Sequence, residues 1–172
     1  SMKFLIIFFY LITVSSSYSA EQLNFKNIII NKDPKAYENV IFKDENNKEI
    51  NLDNYKNKLL ILNFWATWCK PCLEEMPSLD LLQSNEKLDN LKIFPINIGQ
   101  EDILKSKNFF SKLNIKNLDI YYDPTVNLAK KFSLRGIPTT ILINKDGKEF
   151  SRIIGPINFN NKKFINWLKN FN

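Results

Sequence analysis

The sequence contains no histidine and only two cysteines among its 172 residues. A structural zinc site usually takes four ligands from cysteine, histidine or carboxylate side chains, and copper–thiolate centres also use histidine. The residue after the second cysteine is Leu73, so the C-x-x-C-H pattern of covalent haem attachment is missing as well. These absences argue against a metal or haem site, and we expect neither a metal nor another cofactor.

The sequence also has no apolar run of the roughly 20 residues that a membrane-spanning helix needs. An uncharged apolar run from Phe4 to Val14 follows a lysine and is followed by small residues ending near Ala20. This layout is typical of a secretory signal peptide, and we predict one at residues 1–20. Retention of the segment as an anchor is the alternative, and only then would the protein contact the membrane.

The chain has no internal repeat and no linker rich in glycine, serine or proline. With 44% hydrophobic and 24% charged residues, we predict that residues 21–172 form one globular domain. The formal net charge is +6, but the lysines are scattered among asparagines rather than clustered. Scattered charge indicates a solvated surface, and we expect no nucleic-acid partner.

The hydrophobic pattern predicts alternating strands and helices after an N-terminal lead-in without a clear pattern. The elements, in order, are an N-terminal hairpin turning at Asn46 and Asn47, a buried strand at 58–66, a helix with leucine spacing from Leu73 to Leu88, a strand at 91–99, a helix at 101–113, a short strand at 118–123, a short helix near 126–132, a hairpin at 139–155 and a helix at 161–171. This order implies an α/β fold with a mixed central sheet covered by helices on both faces.

Cys69 and Cys72 lie where the predicted central strand ends and a helix begins. Residues three apart on a helix have Cβ atoms about 5–6 Å apart, and a disulfide needs about 3.5–4.5 Å, so a small adjustment allows the two to pair. A bridge around two residues removes little entropy from the unfolded chain, which counts against a purely structural disulfide.

A redox role for the pair has a physical basis. At a helix N-terminus, unpaired N–H groups and the helix dipole favour the thiolate of Cys69, and Lys70 adds a nearby cation. Pro71 suits the first helical turn because it has no N–H group to leave unpaired. We therefore predict that Cys69 is the nucleophile and that Cys72 resolves the mixed disulfide.

The segment "NFWATWCKPC" together with "GIPTT" resembles the thioredoxin superfamily, and "CLEEMP" resembles its TlpA-like branch. These proteins are extracytoplasmic thiol–disulfide oxidoreductases, and some act in cytochrome c maturation. The resemblance covers roughly Val40 to Phe171. The resemblance implies a thioredoxin fold with an N-terminal β-hairpin and an inserted strand and helix. The long separation between Cys72 and Pro138 is consistent with this insertion.

The resemblance also implies site residues. Pro138 matches the cis-proline that faces the cysteines, and the backbone of Ile137 would pair with the substrate like an added strand. Trp68 would form part of the groove wall, with Lys70 and Pro71 beside it as further substrate-binding residues.

Glu75 matches a glutamate that tunes the resolving cysteine in this branch. If it is buried, its carboxyl would favour the neutral form and could exchange a proton with Cys72. A solvated carboxylate that answers the helix dipole is the alternative. Asn63 replaces an aspartate that thioredoxin itself uses as a proton acceptor, which leaves that role to Glu75.

The predicted function is reduction of disulfides in exported proteins, in the bacterial periplasm, by a secreted or inner-membrane-anchored enzyme. Because that compartment is oxidising, the resemblance implies a membrane-embedded thiol donor as a partner. Cytochrome c and cytochrome oxidase maturation are plausible settings. An oxidase or isomerase on the same fold remains an alternative, as does a module that docks partner thiols without turnover.

Overall fold

The structure is a computed structural model that describes residues 25–172, and the predicted signal peptide lies outside them. The strands are β1 (Ile28–Ala36), β2 (Ile41–Asp44), β3 (Glu49–Asn51), β4 (Leu59–Trp65), β5 (Leu91–Asn97), β6 (Tyr121–Tyr122), β7 (Thr139–Ile143) and β8 (Lys148–Ile154). The helices are α1 (Lys70–Gln83), α2 (Ile103–Lys112), α3 (Asn127–Lys131) and α4 (Lys162–Leu168), with 3-10 turns at Leu52–Tyr55, Glu86–Leu88 and Lys169–Phe171.

All eight strands form one mixed sheet in the order β1-β8-β7-β4-β5-β6-β2-β3. The neighbours β4, β5 and β6 are parallel, and the other pairs are antiparallel. The parallel pair β4 and β5 is joined through α1, as the strand–helix–strand pattern predicts. The predicted α/β thioredoxin fold with a mixed sheet is therefore confirmed.

Strand β4 is buried along its whole length because both faces of the sheet are covered. Leu59, Ile61 and Trp65 point to the face covered by α1, α2 and α4, whereas Leu60 and Phe64 point to the face covered by α3 and the 3-10 turn Leu52–Tyr55. Successive side chains of a strand alternate between its faces, so one continuous apolar run supplies both cores. This position fixes the end of β4 at the centre of the sheet.

The N-terminal lead-in, for which the sequence predicted no element, forms strand β1. It pairs with β8 at the edge of the sheet, and the register shifts between Ile30 and Lys35. An edge strand tolerates charges and proline, here Pro34, because one of its sides is not hydrogen-bonded to a neighbour. The missing hydrophobic alternation is thus a consequence of the edge position.

Other predicted boundaries were too long. Helix α1 ends at Gln83, and Leu88 lies in a separate 3-10 turn that begins with the Asn85 side chain accepting a hydrogen bond from the N–H of Lys87. The predicted strand at 118–123 is paired only at Tyr121 and Tyr122. None of the helices within residues 25–172 has the length and apolarity needed to cross a bilayer.

Candidate active site

The cysteines lie at the junction between β4 and α1, as the sequence predicts. Residues 66–68 connect the two elements, and the N–H of Cys69 donates a hydrogen bond to the carbonyl of Ala66 (3.2 Å). Cys69 is the N-cap of α1, and Pro71 occupies the first helical turn. Helix α1 therefore starts directly after the buried strand β4. Because β4 is an inner strand, the junction lies near the centre of the sheet.

Cys69 and Cys72 form a disulfide with a Cα–Cα distance of 5.3 Å, inside the usual range for such bridges. The Cys69 Sγ also accepts a hydrogen bond from the N–H of Cys72 (3.3 Å). Cys69 keeps 5% of its surface exposed, whereas Cys72 has none. The two cysteines therefore differ in both exposure and hydrogen bonding, and Cys69 is the more accessible residue.

Glu75 is buried one helical turn after Cys72, on the same side of α1. One carboxyl oxygen accepts a hydrogen bond from the Asn63 side-chain amide (2.8 Å), and the other accepts from the N–H of Ile157 (3.3 Å). Burial raises the pKa of Glu75 from 4.5 to about 7, although both hydrogen bonds act in the opposite direction. The alternative of a solvated carboxylate is wrong, because the side chain lies between α1, β4 and the segment before α4.

Asn63 contacts Glu75 directly, a relation that its position in the sequence did not reveal. Its amide nitrogen also donates to the Thr140 hydroxyl (3.0 Å), and Asn63 and Thr140 are partners in the pairing of β4 with β7. The Asn63 Oδ1 has no hydrogen-bond partner within the described part of the chain. Asn63, Thr140 and Glu75 thus form a buried polar layer beneath the cysteines.

The Ile137–Pro138 peptide bond is cis, as the resemblance implies. Pro138 directly precedes β7, and Thr139 of β7 pairs with Phe64 near the end of β4. The start of β7 and the end of β4 therefore lie at the same edge of the sheet. Pro138 is buried and Ile137 is half-buried at this edge, next to the junction that carries the cysteines.

The remaining predicted site residues surround the cysteines on the surface. Trp68 is 68% exposed, and Lys70 and Pro71 are also exposed. By contrast, the neighbouring Trp65 is fully buried in the core. The indole of Trp68 is thus an exposed apolar group next to Cys69 in the sequence, whereas that of Trp65 belongs to the core.

A second polar group near the cysteines was not predicted. Glu101 accepts hydrogen bonds from the N–H of Thr67 (2.9 Å), from the Thr67 hydroxyl and from the Asn97 amide (3.0 Å). Burial opposes ionisation of Glu101, but these hydrogen bonds outweigh it and lower its pKa below the ordinary value. The carboxylate thereby ties the junction before Cys69 to the loop after β5. The feature of the sequence that could have indicated Glu101 is the cluster of polar residues that follows β5, the strand parallel to β4.

Among residues 25–172, no group of three or more cysteine or carboxylate side chains is arranged to hold a metal ion. The redox-active group of the described site is the cysteine pair, and Glu75, whose pKa burial raises to about 7, lies nearby. A cysteine pair with one partly exposed and one buried member, beside a buried carboxyl, is suited to thiol–disulfide exchange.

Comparison with known proteins agrees with this chemistry. The Redoxin family model matches residues 14–163. The thiol–disulfide oxidoreductase ResA of Bacillus cereus is 35% identical over 121 residues, which are 70% of this chain and 69% of that protein.

Two solved structures have the same fold. StoA from Bacillus subtilis is 24% identical, with a TM-score of 0.61 over 82% of this chain and 98% of that one. The pneumococcal exposed lipoprotein thioredoxin of Streptococcus pneumoniae is 27% identical, with a TM-score of 0.60 over 77% of this chain and 98% of that one. The chain thus belongs to the Redoxin family, as a TlpA-like thiol–disulfide oxidoreductase similar to ResA.

Proposed function

We propose that the protein reduces disulfides in exported proteins by means of the Cys69–Cys72 dithiol. The Cys69 thiolate attacks one sulfur of the substrate disulfide, and the other substrate sulfur leaves as a thiolate and takes up a proton. Cys72 then loses its proton and attacks the Cys69 sulfur of the mixed disulfide, which releases the second substrate thiol. Two electrons pass to the substrate, and the enzyme is left as the Cys69–Cys72 disulfide.

The observation that carries this proposal is the hydrogen bond from the Cys72 N–H to the Cys69 sulfur at the start of α1 (3.3 Å). In the reduced enzyme the same N–H group and the positive end of the helix dipole would stabilise a thiolate on Cys69 more than a thiol. Cys69 is also the cysteine that keeps exposed surface. Attack by Cys69 and resolution by Cys72 follow from these two asymmetries.

Glu75 is proposed to accept the proton of Cys72 during resolution. A buried thiol ionises poorly by itself, because its thiolate would lack solvation. A carboxyl whose pKa is about 7 is divided between its two protonation states at neutral pH, so it can take a proton and later return it. Since Glu75 is buried one turn along the same helix face, no rearrangement of α1 is needed to bring it near Cys72.

The substrate is proposed to bind across the cysteine pair. An extended segment would pair with the backbone of Ile137 beside the cis-Pro138, in the manner of an added strand. The exposed Trp68 would pack on the substrate from the other side of Cys69, and Lys70 and Pro71 would complete the contact surface. Main-chain pairing would supply affinity, and any preference among substrate sequences would come from side-chain contacts.

The proposed compartment lies outside the cytoplasm, which in bacteria means the periplasm or the outer face of the inner membrane. The N-terminal signal-like pattern and the similarity to the pneumococcal exposed lipoprotein thioredoxin both support this location. A reductase in an oxidising compartment has to be re-reduced. We therefore propose a membrane-embedded thiol donor as a partner, and haem-attachment or copper-site cysteines of exported apoproteins as substrates.

The test combines an activity and a potential. The wild-type enzyme should accelerate insulin reduction by dithiothreitol, and Cys69→Ser should not. Cys72→Ser should accumulate the mixed disulfide with insulin, which non-reducing electrophoresis and mass spectrometry detect. A Cys69–Cys72 potential near thioredoxin's, roughly −270 mV, supports a reductase, whereas one near DsbA's, roughly −120 mV, would assign the oxidase direction instead.

The docking-module alternative makes the opposite prediction for the same variants. If wild-type protein fails to accelerate insulin reduction and Cys69→Ser binds partner proteins as well as the wild type does, the cysteines do not turn over. The proposed reductase function would then be wrong.

A further inference from the structure

A groove lies beside the cysteine pair on the side away from Pro138. It has a volume of about 420 Å³ and is lined by Thr67, Leu73, Lys105, Asn108, Phe109, Lys112 and Leu113. Thr67 comes two residues before Cys69, and Leu73 directly follows Cys72. Since β7 flanks β4 on one side and β5 flanks it on the other, Pro138 and the helix that follows β5 lie on opposite sides of the junction.

The α2 wall of the groove is one stripe of that helix. Lys105, Asn108, Phe109, Lys112 and Leu113 recur at intervals of three and four residues, which places them on one face. Phe109 also packs on Trp65, with ring centroids 4.9 Å apart, so the floor of the groove is anchored to the core. The floor is therefore apolar where Phe109, Leu73 and Leu113 line the groove.

The rim of the groove is positively charged. Lys105 and Lys112 are exposed, and neither forms a salt bridge within the described residues. Lys107, on another face of the same helix, is paired with Glu45 at 3.2 Å. Lys105 helps to lower the pKa of Glu101, so the Glu101 carboxylate offsets part of the charge of Lys105. None of the residues that line the groove is acidic, and its rim therefore keeps a net positive charge beside an apolar floor.

We propose that this groove is a substrate subsite for a polypeptide segment that carries an apolar side chain and acidic residues next to its disulfide. The apolar side chain would contact Leu73, Phe109 and Leu113, and the carboxylates would lie near Lys105 and Lys112. A volume of about 420 Å³ accommodates such a side chain with adjoining backbone. The inference rests on the proposed function, because it names the class of substrate that the same cysteine pair reduces.

The experiment uses three synthetic peptides, each with one intramolecular disulfide. The first has leucine and two aspartates beside a cysteine, the second replaces the aspartates by lysines, and the third replaces the leucine by serine. The second-order rate constant for reduction of each peptide by the reduced full-length protein is measured at low salt. Each value is divided by the same protein's rate constant with 2-hydroxyethyl disulfide, which is small and uncharged.

We expect the wild type to prefer the acidic leucine peptide over the lysine peptide about fivefold, as two exposed ion pairs would give, and the preference should shrink in 0.5 M salt. Replacement of the leucine by serine should lower the rate about fivefold, because the apolar contact is lost. The double variant Lys105→Glu and Lys112→Glu should prefer the lysine peptide.

The matched control is the double variant Lys58→Glu and Lys148→Glu, which changes the net charge equally at the opposite end of the sheet. Both lysines are exposed there. This control should keep the wild-type preference. Equal rates for the three peptides, or a preference lost equally in both double variants, would overturn the subsite. Failure of the wild type to reduce even 2-hydroxyethyl disulfide would instead overturn the proposed function on which it rests.

Discussion

Replacing Glu75 by glutamine should change how the stability of the disulfide form depends on pH. Burial raises the pKa of Glu75 to about 7 in the folded chain, against an ordinary value of 4.5. The carboxyl of Glu75 therefore binds its proton more tightly in the folded state than in the unfolded state. The stabilisation of the folded state by this protonation is fully present below pH 4.5 and is lost as the pH rises through 7.

The expected size follows from the two pKa values. Each pKa unit corresponds to about 1.4 kcal/mol, so protonation of Glu75 contributes about 3 kcal/mol in all, of which about 2–3 kcal/mol disappear between pH 5 and pH 8. Glu75→Gln removes this part of the pH dependence. Glutamine cannot accept both existing hydrogen bonds through one oxygen, so the variant also has a constant cost, and the slope with pH is the informative quantity.

The assay is urea unfolding of oxidised wild type and Glu75→Gln at several pH values from 5 to 8. The difference in unfolding free energy between the two proteins should shift by about 2–3 kcal/mol in favour of the variant as the pH rises. Glu74→Gln is the matched control, because Glu74 is the exposed neighbour on α1 and its replacement should leave the wild-type slope. Parallel curves for wild type and Glu75→Gln would refute the assigned pKa of Glu75.

Three further predictions concern the surroundings of the cysteines. Asn63→Asp places a second carboxyl 2.8 Å from Glu75, so urea unfolding should show a loss of stability at pH 8 that largely recovers at pH 5; equal losses at both pH values would contradict it. Glu101→Gln should cost about 1–3 kcal/mol at pH 7, because hydrogen bonds to a carboxylate are lost. Since the pKa of Glu101 is lowered, that cost should vanish in urea titrations as the pH falls below the ordinary glutamate range, and a constant cost would argue against it. Trp68→Ala should change the unfolding free energy by no more than about 0.5 kcal/mol, as its 68% exposure implies, yet raise the KM for insulin; an unchanged KM would remove Trp68 from the substrate surface.

The parts of the fold that could be predicted are those whose sequence carries a local pattern. Strand β4 shows an unbroken apolar run because it is buried on both faces, and α1 begins where the cysteines and Pro71 indicate. Strand β1 has no such pattern, since its hydrogen bonds to β8 constrain the backbone but leave most of its side chains in solvent. The formation of such an edge strand depends on the neighbouring strand with which it pairs rather than on its own hydrophobic pattern.

The same distinction holds within the site. The cysteine spacing and the resemblance of "CLEEMP" to the TlpA-like branch pointed to Cys69, Cys72 and Glu75. The hydrogen bond from Ile157 to Glu75 joins residues 82 positions apart, and the bonds between Thr67 and Glu101 join residues 34 positions apart. Contacts of this range depend on the sheet order and on loop paths, which the local sequence does not encode.

The segment before α4 is fastened to α1 through two acceptors, with Ile157 donating to Glu75 and the N–H of Phe159 donating to the Ser78 hydroxyl (3.0 Å). The pKa of Glu75 is therefore lowered in part by a backbone N–H group from a distant stretch that has no charged side chain. Transplanting only the stretch from Trp68 to Ser78 onto another scaffold would carry over the sulfurs and the carboxyl but not this donor. A faithful graft would have to include Asn63 and residues 156–159 as well.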